Sequence, residues 1–173
     1  QYNKGMTPRQ AGTVLIAQPI MMAVFSPVIG KLSEKIEPML LASAGIGLTG
    51  IGLFLFAPIS ADTSLNLIIL NLLMIGFGFA LFSSPNVNAV MSSVEKRYYG
   101  VASGILSTMR ATGQAMSMGI SSMLIALYVG KQQIGPANLD KFLACSRTAF
   151  TIFAMLCLAG MFCSLARGKV HKS

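Results

Sequence analysis

The chain has 173 residues, of which 54% are hydrophobic and 10% are charged, and its formal net charge is +8. A soluble globular domain carries about 25% charged residues, so this composition leaves too little polar surface to face water and indicates a membrane protein in a lipid bilayer. The basic residues lie in short segments between apolar runs and are not clustered on one face, which excludes a nucleic-acid partner.

Five segments that are apolar and charge-free over most of their length follow one another along the chain. Each meets or nearly meets the roughly 20 residues that a membrane-spanning helix needs. We therefore predict an all-α membrane protein with five transmembrane helices, at residues of about 7–29, 38–56, 65–90, 99–129 and 142–165.

The first two predicted helices carry different signals. In the first, Pro19 predicts a kink, because a membrane helix tolerates proline where neighbouring groups satisfy the freed carbonyl. Gln18 beside it either faces a polar cavity or hydrogen-bonds to another helix. In the second, small residues recur on one face at a spacing of three or four, which predicts close packing against another helix. These residues are Ala42, Gly45, Thr49 and Gly52.

Glycine and proline interrupt the third predicted helix at Gly76, Gly78 and Pro85. A hydrophobic helix interrupted in this way points to a transport path. Asn71 is the amide that we expect to face a cavity, and the polar edge of the outer leaflet is the alternative. Asn88 is interpreted as a residue near the cytoplasmic interface.

A polar stripe with a central arginine marks the fourth predicted helix. At about 100° per residue, six polar side chains fall on one face. They are Ser103, Ser107, Arg110, Gln114, Ser117 and Ser121. Arg110 follows Tyr99 by eleven residues, which places it about 16 Å along the helix. An arginine at that depth faces a protein interior or a water-filled cavity rather than lipid. We therefore expect Arg110, Gln114 and Ser107 to line a substrate path.

The sequence shows no pattern typical of an enzyme or a metal site. All acidic residues lie in predicted loops: Glu34, Glu37, Asp62, Glu95 and Asp140. We therefore expect no proton relay within the bilayer, and no catalytic residue, cofactor or metal. Arg147, near the outer end of the fifth predicted helix, is explained by snorkelling. The methionines are explained by packing.

The distribution of positive charge predicts the orientation. Seven Lys and Arg residues lie in the segments after the first, third and fifth predicted helices, and four lie on the opposite side. The positive-inside rule places the side with seven in the cytoplasm. We therefore expect a multi-pass protein of the cell membrane, with its N-terminus outside and its C-terminus in the cytoplasm.

Two segments resemble a known family. "GKLSEKIEP" resembles the second-half copy of the cytoplasmic loop motif of the major facilitator superfamily. Gly30, Leu32 and Lys35 match that motif and Glu34 stands in place of its Asp, whereas Glu37 replaces its later glycine. "ASGILSTMRATGQAMSMGI" resembles the penultimate helix of the drug:proton antiporters with fourteen spans. Residues that fit this second pattern are Ser103, Gly104, Arg110 and Gly113.

The resemblance implies that the chain holds the last five helices of such a transporter, a partial C-terminal bundle. Its partners would be the lipid bilayer, a small-molecule substrate and a missing N-terminal bundle that carries the proton-coupling acids. Its function would be proton-coupled multidrug efflux of amphipathic molecules, cationic or neutral. The expected substrate-binding residues are Arg110, Gln114, Asn71, Ser107 and Gln18.

A different class of function remains open from the sequence. The chain begins with Gln1 and reads as the remainder of a longer protein. The alternatives are a stand-alone membrane scaffold or assembly protein, the inert product of a truncated gene, or one half of a split transporter. The DNA upstream of the codon for Gln1 discriminates among them.

Overall fold

The computed structural model describes residues 7–58, 63–130 and 139–165. Those residues fold into α-helices and one short 3₁₀ turn, so the predicted all-α fold is confirmed. In chain order the helices are α1 (Pro8–Leu15), α2 (Ala17–Leu32), α3 (Pro38–Phe56), α4 (Leu65–Ser92), α5 (Tyr99–Tyr128) and α6 (Leu139–Leu165), and the 3₁₀ turn is Lys96–Tyr98.

The first predicted helix consists of two segments, α1 and α2, that join at Ile16. A capping box starts α1: the hydroxyl of Thr7 accepts from the backbone N–H of Gln10, and the Gln10 side chain accepts from the N–H of Thr7. Ile16 keeps right-handed helical angles. The helical hydrogen bonding is interrupted one turn before Pro19, because proline has no N–H to donate to the carbonyl of Leu15.

Four stretches of the described chain are long and apolar enough to cross a membrane: Arg9–Leu32, Pro38–Phe56, Leu65–Ser92 and Lys141–Leu165. The prediction from the sequence was five. α5 has 30 residues, about 45 Å of helix, but it is less apolar than the other four. The reason is the stripe around Arg110, together with several serines and glycines.

α4 is central to the packing. It contacts α2 and α3 extensively, and α6 packs on the far side of α3. A cluster of Phe56, Leu72 and Ile75 forms the apolar core between α3 and α4. α5 touches α6 and α4 over only a small part of its surface, and it buries only Ala102 and Leu124.

The backbones of α3 and α4 meet at glycines. A Cβ at Gly45 would lie 2.5 Å from the backbone nitrogen of Phe82 and 2.6 Å from the carbonyl oxygen of Gly78. A Cβ at Gly78 would lie 2.7 Å from the hydroxyl of Thr49. The prediction that the small-residue face of α3 packs closely against another helix is therefore confirmed.

α2 and α4 run parallel, and their contacting residues are separated by the same number of positions in the sequence at successive turns. The hydroxyls of Ser26 and Ser84 lie 3.3 Å apart, and Ser84 also donates to the carbonyl of Ser26 at 3.0 Å. One turn further on, the Asn88 amide donates to the carbonyl of Gly30 at 3.2 Å. The partners are 58 residues apart in the sequence at both levels. We call this contact the α2–α4 seam.

Candidate functional site

Arg110 reaches from α5 to α4. Its Nη2 donates a hydrogen bond to the hydroxyl of Ser83 at 3.2 Å. Ser83 is buried, with 7% of its surface exposed, whereas Arg110 is exposed. The arginine therefore has a neutral anchor on the central helix, and the rest of its guanidinium lies open on α5.

The predicted stripe forms one continuous face of α5, which we call the Arg110 stripe. Ser103, Ser107, Arg110, Gln114 and Ser117 are exposed along it, because α5 continues without interruption from Tyr99 to Tyr128. The structure thus brings together three of the five predicted binding residues, Ser107, Arg110 and Gln114.

A different face of α5 borders an open groove of about 710 Å³. Thr108 and Thr112 lie in this groove, but each hydroxyl bonds back to its own helix, to the carbonyls of Gly104 at 3.0 Å and Thr108 at 2.9 Å. Their methyl groups, with Ile105, leave this face apolar in character. Polar chemistry on α5 is therefore concentrated on the Arg110 stripe.

Asn71 lies apart from the stripe. Its side chain is buried between α4 and α3, where Nδ2 donates to the carbonyl of Gly52 at 2.9 Å. Ser83 is twelve residues further along the same helix, a separation of about 18 Å. Asn71 therefore bridges two helices at a different depth from Arg110.

Gln18 is on α2, and the structure does not bring it to Arg110. Its side chain is half-buried. Its backbone lies against α4, where a Cβ at Gly76 would be 2.5 Å from the carbonyl oxygen of Gln18. α4 is the helix that both α2 and α5 contact, so Gln18 approaches that helix from another side.

The loop motif at the end of α2 divides into packed and exposed residues. The carbonyl of Gly30 accepts from Asn88 and from the hydroxyl of Ser33 at 2.7 Å. Ser33 is buried and also accepts from Asn88 at 2.8 Å. The other motif residues, Leu32, Glu34 and Lys35, are exposed.

Three residues of this arrangement were not among the predicted site residues: Ser83, Ser33 and Asn88. Ser83 stands two residues before Pro85, a proline inside α4, and this proximity is the one signal that could have marked it. The bonds of Asn88 to Gly30 and Ser33 depend on the register between α2 and α4, which no single helix reveals.

No charged partner of Arg110 is found among the described residues. Glu34 and Glu37 belong to the turn between α2 and α3, and Glu95 follows α4. Glu95 pairs instead with Arg97 at 3.0 Å, where both side chains are exposed. The same part of the chain contains no group of three His, Cys, Asp or Glu that could hold a metal ion.

Known proteins resemble this chain over 70% to 91% of its length. The riboflavin transporter RibZ of Clostridioides difficile (strain 630) is 27% identical over 158 residues, which are 91% of this chain and 35% of that protein. The uncharacterized transporter YebQ of Escherichia coli (strain K12) is 30% identical over 121 residues, 70% of this chain and 26% of that protein.

The multidrug resistance protein Stp of Mycobacterium tuberculosis (strain ATCC 25618 / H37Rv) is 28% identical over 129 residues, 75% of this chain and 24% of that protein. The chain thus spans about a quarter to a third of the length of these relatives. No solved structure matches it significantly.

All three relatives are transporters or resistance proteins by name, which confirms the prediction that the chain is not an enzyme. The sequence pattern of the Major Facilitator Superfamily matches residues 1–172. With helices packed around α4 and four stretches able to cross a membrane, the chain belongs to the Major Facilitator Superfamily.

Proposed function

We propose that this chain is the C-terminal part of a proton-coupled transporter that exports small molecules across the cell membrane. The observation that carries the proposal is the Arg110 stripe, an exposed polar face on a helix of a membrane protein, held to the central helix through Ser83. Intramembrane ionisable residues face a protein interior or a water-filled path.

Export is the direction favoured by several relatives. Stp is named for multidrug resistance, and a protein of Streptomyces glaucescens, 25% identical over 126 residues, is named for resistance to and export of tetracenomycin C. The branch of drug:proton antiporters with fourteen spans is the one whose penultimate helix the Arg110 segment resembles.

In this proposal α4 and α5 form one wall of the path. Arg110 contacts the substrate or orients a gate, and Gln114 and Ser107 supply hydrogen-bonding groups beside it. Asn71 and Gln18 are proposed to contribute through the helices that they connect to α4. The chain holds no acid in its apolar segments, so the groups that bind the coupled proton belong to an N-terminal bundle, the partner that covers the open face of α5.

The proposed orientation rests on the positive charge at the C-terminal ends of α2 and α4, which run parallel. Their C-terminal ends carry Lys31, Lys35, Lys96 and Arg97 and lie on one side of the molecule. That side is proposed to be cytoplasmic, with the N-terminus outside. The motif residues Gly30 and Leu32, in the last turn of α2, and Glu34 and Lys35, just after it, are then proposed to lie on the cytoplasmic side, where the exposed pair Glu34 and Lys35 can contact the other bundle.

The test compares two arginines in the intact transporter. Arg110→Ala removes a charged hydrogen-bond donor, worth about 1.5–3 kcal/mol, and we expect efflux to fall roughly tenfold to a hundredfold. Arg147→Ala is the control, because Arg147 is also exposed but lies on α6, near the helix end. Efflux is measured in cells that lack other pumps, as resistance to a panel of toxic compounds, with the amount of inserted protein determined in parallel.

Normal efflux by inserted Arg110→Ala protein contradicts the role of the stripe. Absence of efflux from the unmodified protein contradicts the transport function and leaves the scaffold alternative.

A further inference from the structure

We infer that the cavity between the end of α3 and the start of α4 binds a small, uncharged alcohol or phenol that reaches it through the lipid. We call it the Asn71 cavity. The inference goes beyond the proposed export function, because it assigns a second molecule to a place away from the Arg110 stripe. The sequence led us to expect that Asn71 contacts the exported substrate, and this inference gives its amide a different ligand.

The Asn71 cavity has a volume of about 300 Å³. An apolar cavity of about 150 Å³ is large enough to bind benzene, so this one has room for a benzene ring with a short alkyl chain. Apart from Asn71, its lining is largely apolar, and the side chains include Leu55, Phe56, Leu67, Ile68 and Met74. Leu55 and Leu67 are exposed at the rim, whereas Phe56 is buried and belongs to the apolar core.

The amide of Asn71 supplies a hydrogen-bond acceptor that the described chain does not use. Only 9% of Asn71 is exposed. Its Nδ2 donates to the carbonyl of Gly52 at 2.9 Å, which fixes the amide, because the reverse orientation sets two carbonyl oxygens against each other. Oδ1 is buried as well, and no group of the described residues donates to it. A buried acceptor without a donor costs free energy, which a donating ligand recovers.

The competitor for this cavity is the hydrocarbon of the bilayer. Leu67 and Leu70 line the cavity and are exposed, so in a membrane-spanning chain they face lipid. An acyl chain fills an apolar space but has no hydrogen to donate, and it leaves Oδ1 unsatisfied. A hydroxyl on an apolar body fills the same space and satisfies the acceptor. An ammonium also donates, but bringing its charge out of water costs far more.

The position of the cavity separates it from the proposed transport path. Asn71 is six residues after Leu65, the first residue of α4, or about 9 Å along the helix. Ser83, which holds Arg110, lies about 18 Å further on. Among the described helices, α3 and α5 share no contact. The cavity, which α3 borders, therefore lies away from the face of α5 that we assign to the N-terminal bundle.

The experiment uses the intact transporter in detergent and three uncharged probes of similar shape. 4-Propylphenol carries a hydroxyl, 4-propyltoluene carries a methyl group in its place, and 4-propylanisole carries an ether oxygen that accepts but does not donate. Equilibrium dialysis gives each dissociation constant, corrected for the partition of the probe into protein-free micelles. We expect 4-propylphenol to bind at least about tenfold more tightly than the other two, because one hydrogen bond to a buried acceptor supplies a difference of that size.

Three variants locate the binding. Met74→Trp fills the cavity and leaves Asn71 in place, and we expect it to weaken binding of 4-propylphenol at least about tenfold. Met91→Trp is the matched control, because Met91 is also half-buried on α4 but lies about 25 Å further along. We expect it to change the affinity by less than about twofold. Asn71→Leu removes the acceptor and brings the three probes within about threefold of one another. Met74→Trp carries the test if Asn71→Leu does not fold.

The outcomes bear on the inference alone. Equal affinities of the unmodified protein for 4-propylphenol and 4-propyltoluene overturn it, because the hydrogen bond then contributes nothing. A preference for 4-propylphenol that persists in both Met74→Trp and Asn71→Leu assigns the binding to another place and also overturns it. Absence of binding by all three probes does the same. None of these results changes the proposed export, which the resistance assay measures independently.

Discussion

Gly45 has no space for a side chain. Its would-be Cβ meets backbone atoms of α4 at 2.5 and 2.6 Å, and backbone cannot move aside as a flexible side chain can. Gly47, two residues later on the same helix, faces only the sulfur of Met161, at 3.1 Å. The two glycines therefore differ in their packing, although both lie on α3: Gly45 contacts backbone atoms, whereas Gly47 contacts a flexible side chain.

At the scale of the residue, this difference makes a testable prediction. Gly45→Ala forces α3 and α4 apart, and we expect it to destabilise the protein by about 1–3 kcal/mol, the range for overpacked cores. Gly47→Ala displaces a flexible methionine and gains helix propensity, so we expect a change of less than about 1 kcal/mol. Thermal unfolding of the purified protein in detergent measures both, and equal losses for the two variants contradict the assigned helix contact.

Single residues also show where sequence reasoning ends. The place of Arg110 on a polar face of α5 follows from the helical repeat, so it could be predicted from the sequence. Its partner Ser83 could not, because the contact depends on how α4 is rotated toward α5. The same rotation turns Asn71 toward Gly52 of α3: a polar side chain in a membrane helix indicates a partner without saying on which helix it lies.

At the scale of the element, the α2–α4 seam places two Ser-Pro dipeptides side by side. Ser26 precedes Pro27 and Ser84 precedes Pro85, and the two serines touch. Each proline leaves one carbonyl of the preceding turn without its helical N–H. Both helices therefore lose a backbone hydrogen bond at the same level, which lowers the resistance of the pair to bending there.

The register of this seam can be checked by cross-linking. With the native cysteines replaced by alanine, we expect Ser26→Cys combined with Ser84→Cys to form a disulfide on mild oxidation, because the two hydroxyls are 3.3 Å apart. Ser26→Cys with Asn88→Cys is the matched control. It is displaced by one turn, about 6 Å, and stays reduced. Gel mobility after proteolysis between α2 and α4 reports the bond, and cross-linking of the control pair contradicts the register.

At the scale of the whole molecule, the helix ends were the most predictable feature. The predicted ends of α3 to α6 lie within three residues of those in the structure, because charges, prolines and capping residues mark them locally. The order of packing around α4 was not predictable from any one helix. It depends on which small residues meet across a contact, and only the complete arrangement of helices determines that.

The proposed orientation makes a prediction for the molecule as a whole. In a cysteine-free background, we expect Glu34→Cys to react with a membrane-impermeant maleimide only in inverted vesicles, because Glu34 follows the C-terminal end of α2. Ser64→Cys, at the exposed start of α4, is expected to react only in intact cells. The reverse pattern places the N-terminus in the cytoplasm.

The bond between Arg110 and Ser83 bears on how the protein is made. In the proposed arrangement α5 spans the bilayer, and a guanidinium near its middle costs about 3 kcal/mol on passage from the translocon into lipid, so α5 would be poorly suited to enter the bilayer alone. α4 is synthesised immediately before α5 and offers a hydroxyl at the required depth. The ribosome thus delivers Ser83 ahead of Arg110, and we expect insertion of α5 to depend on the prior insertion of α4.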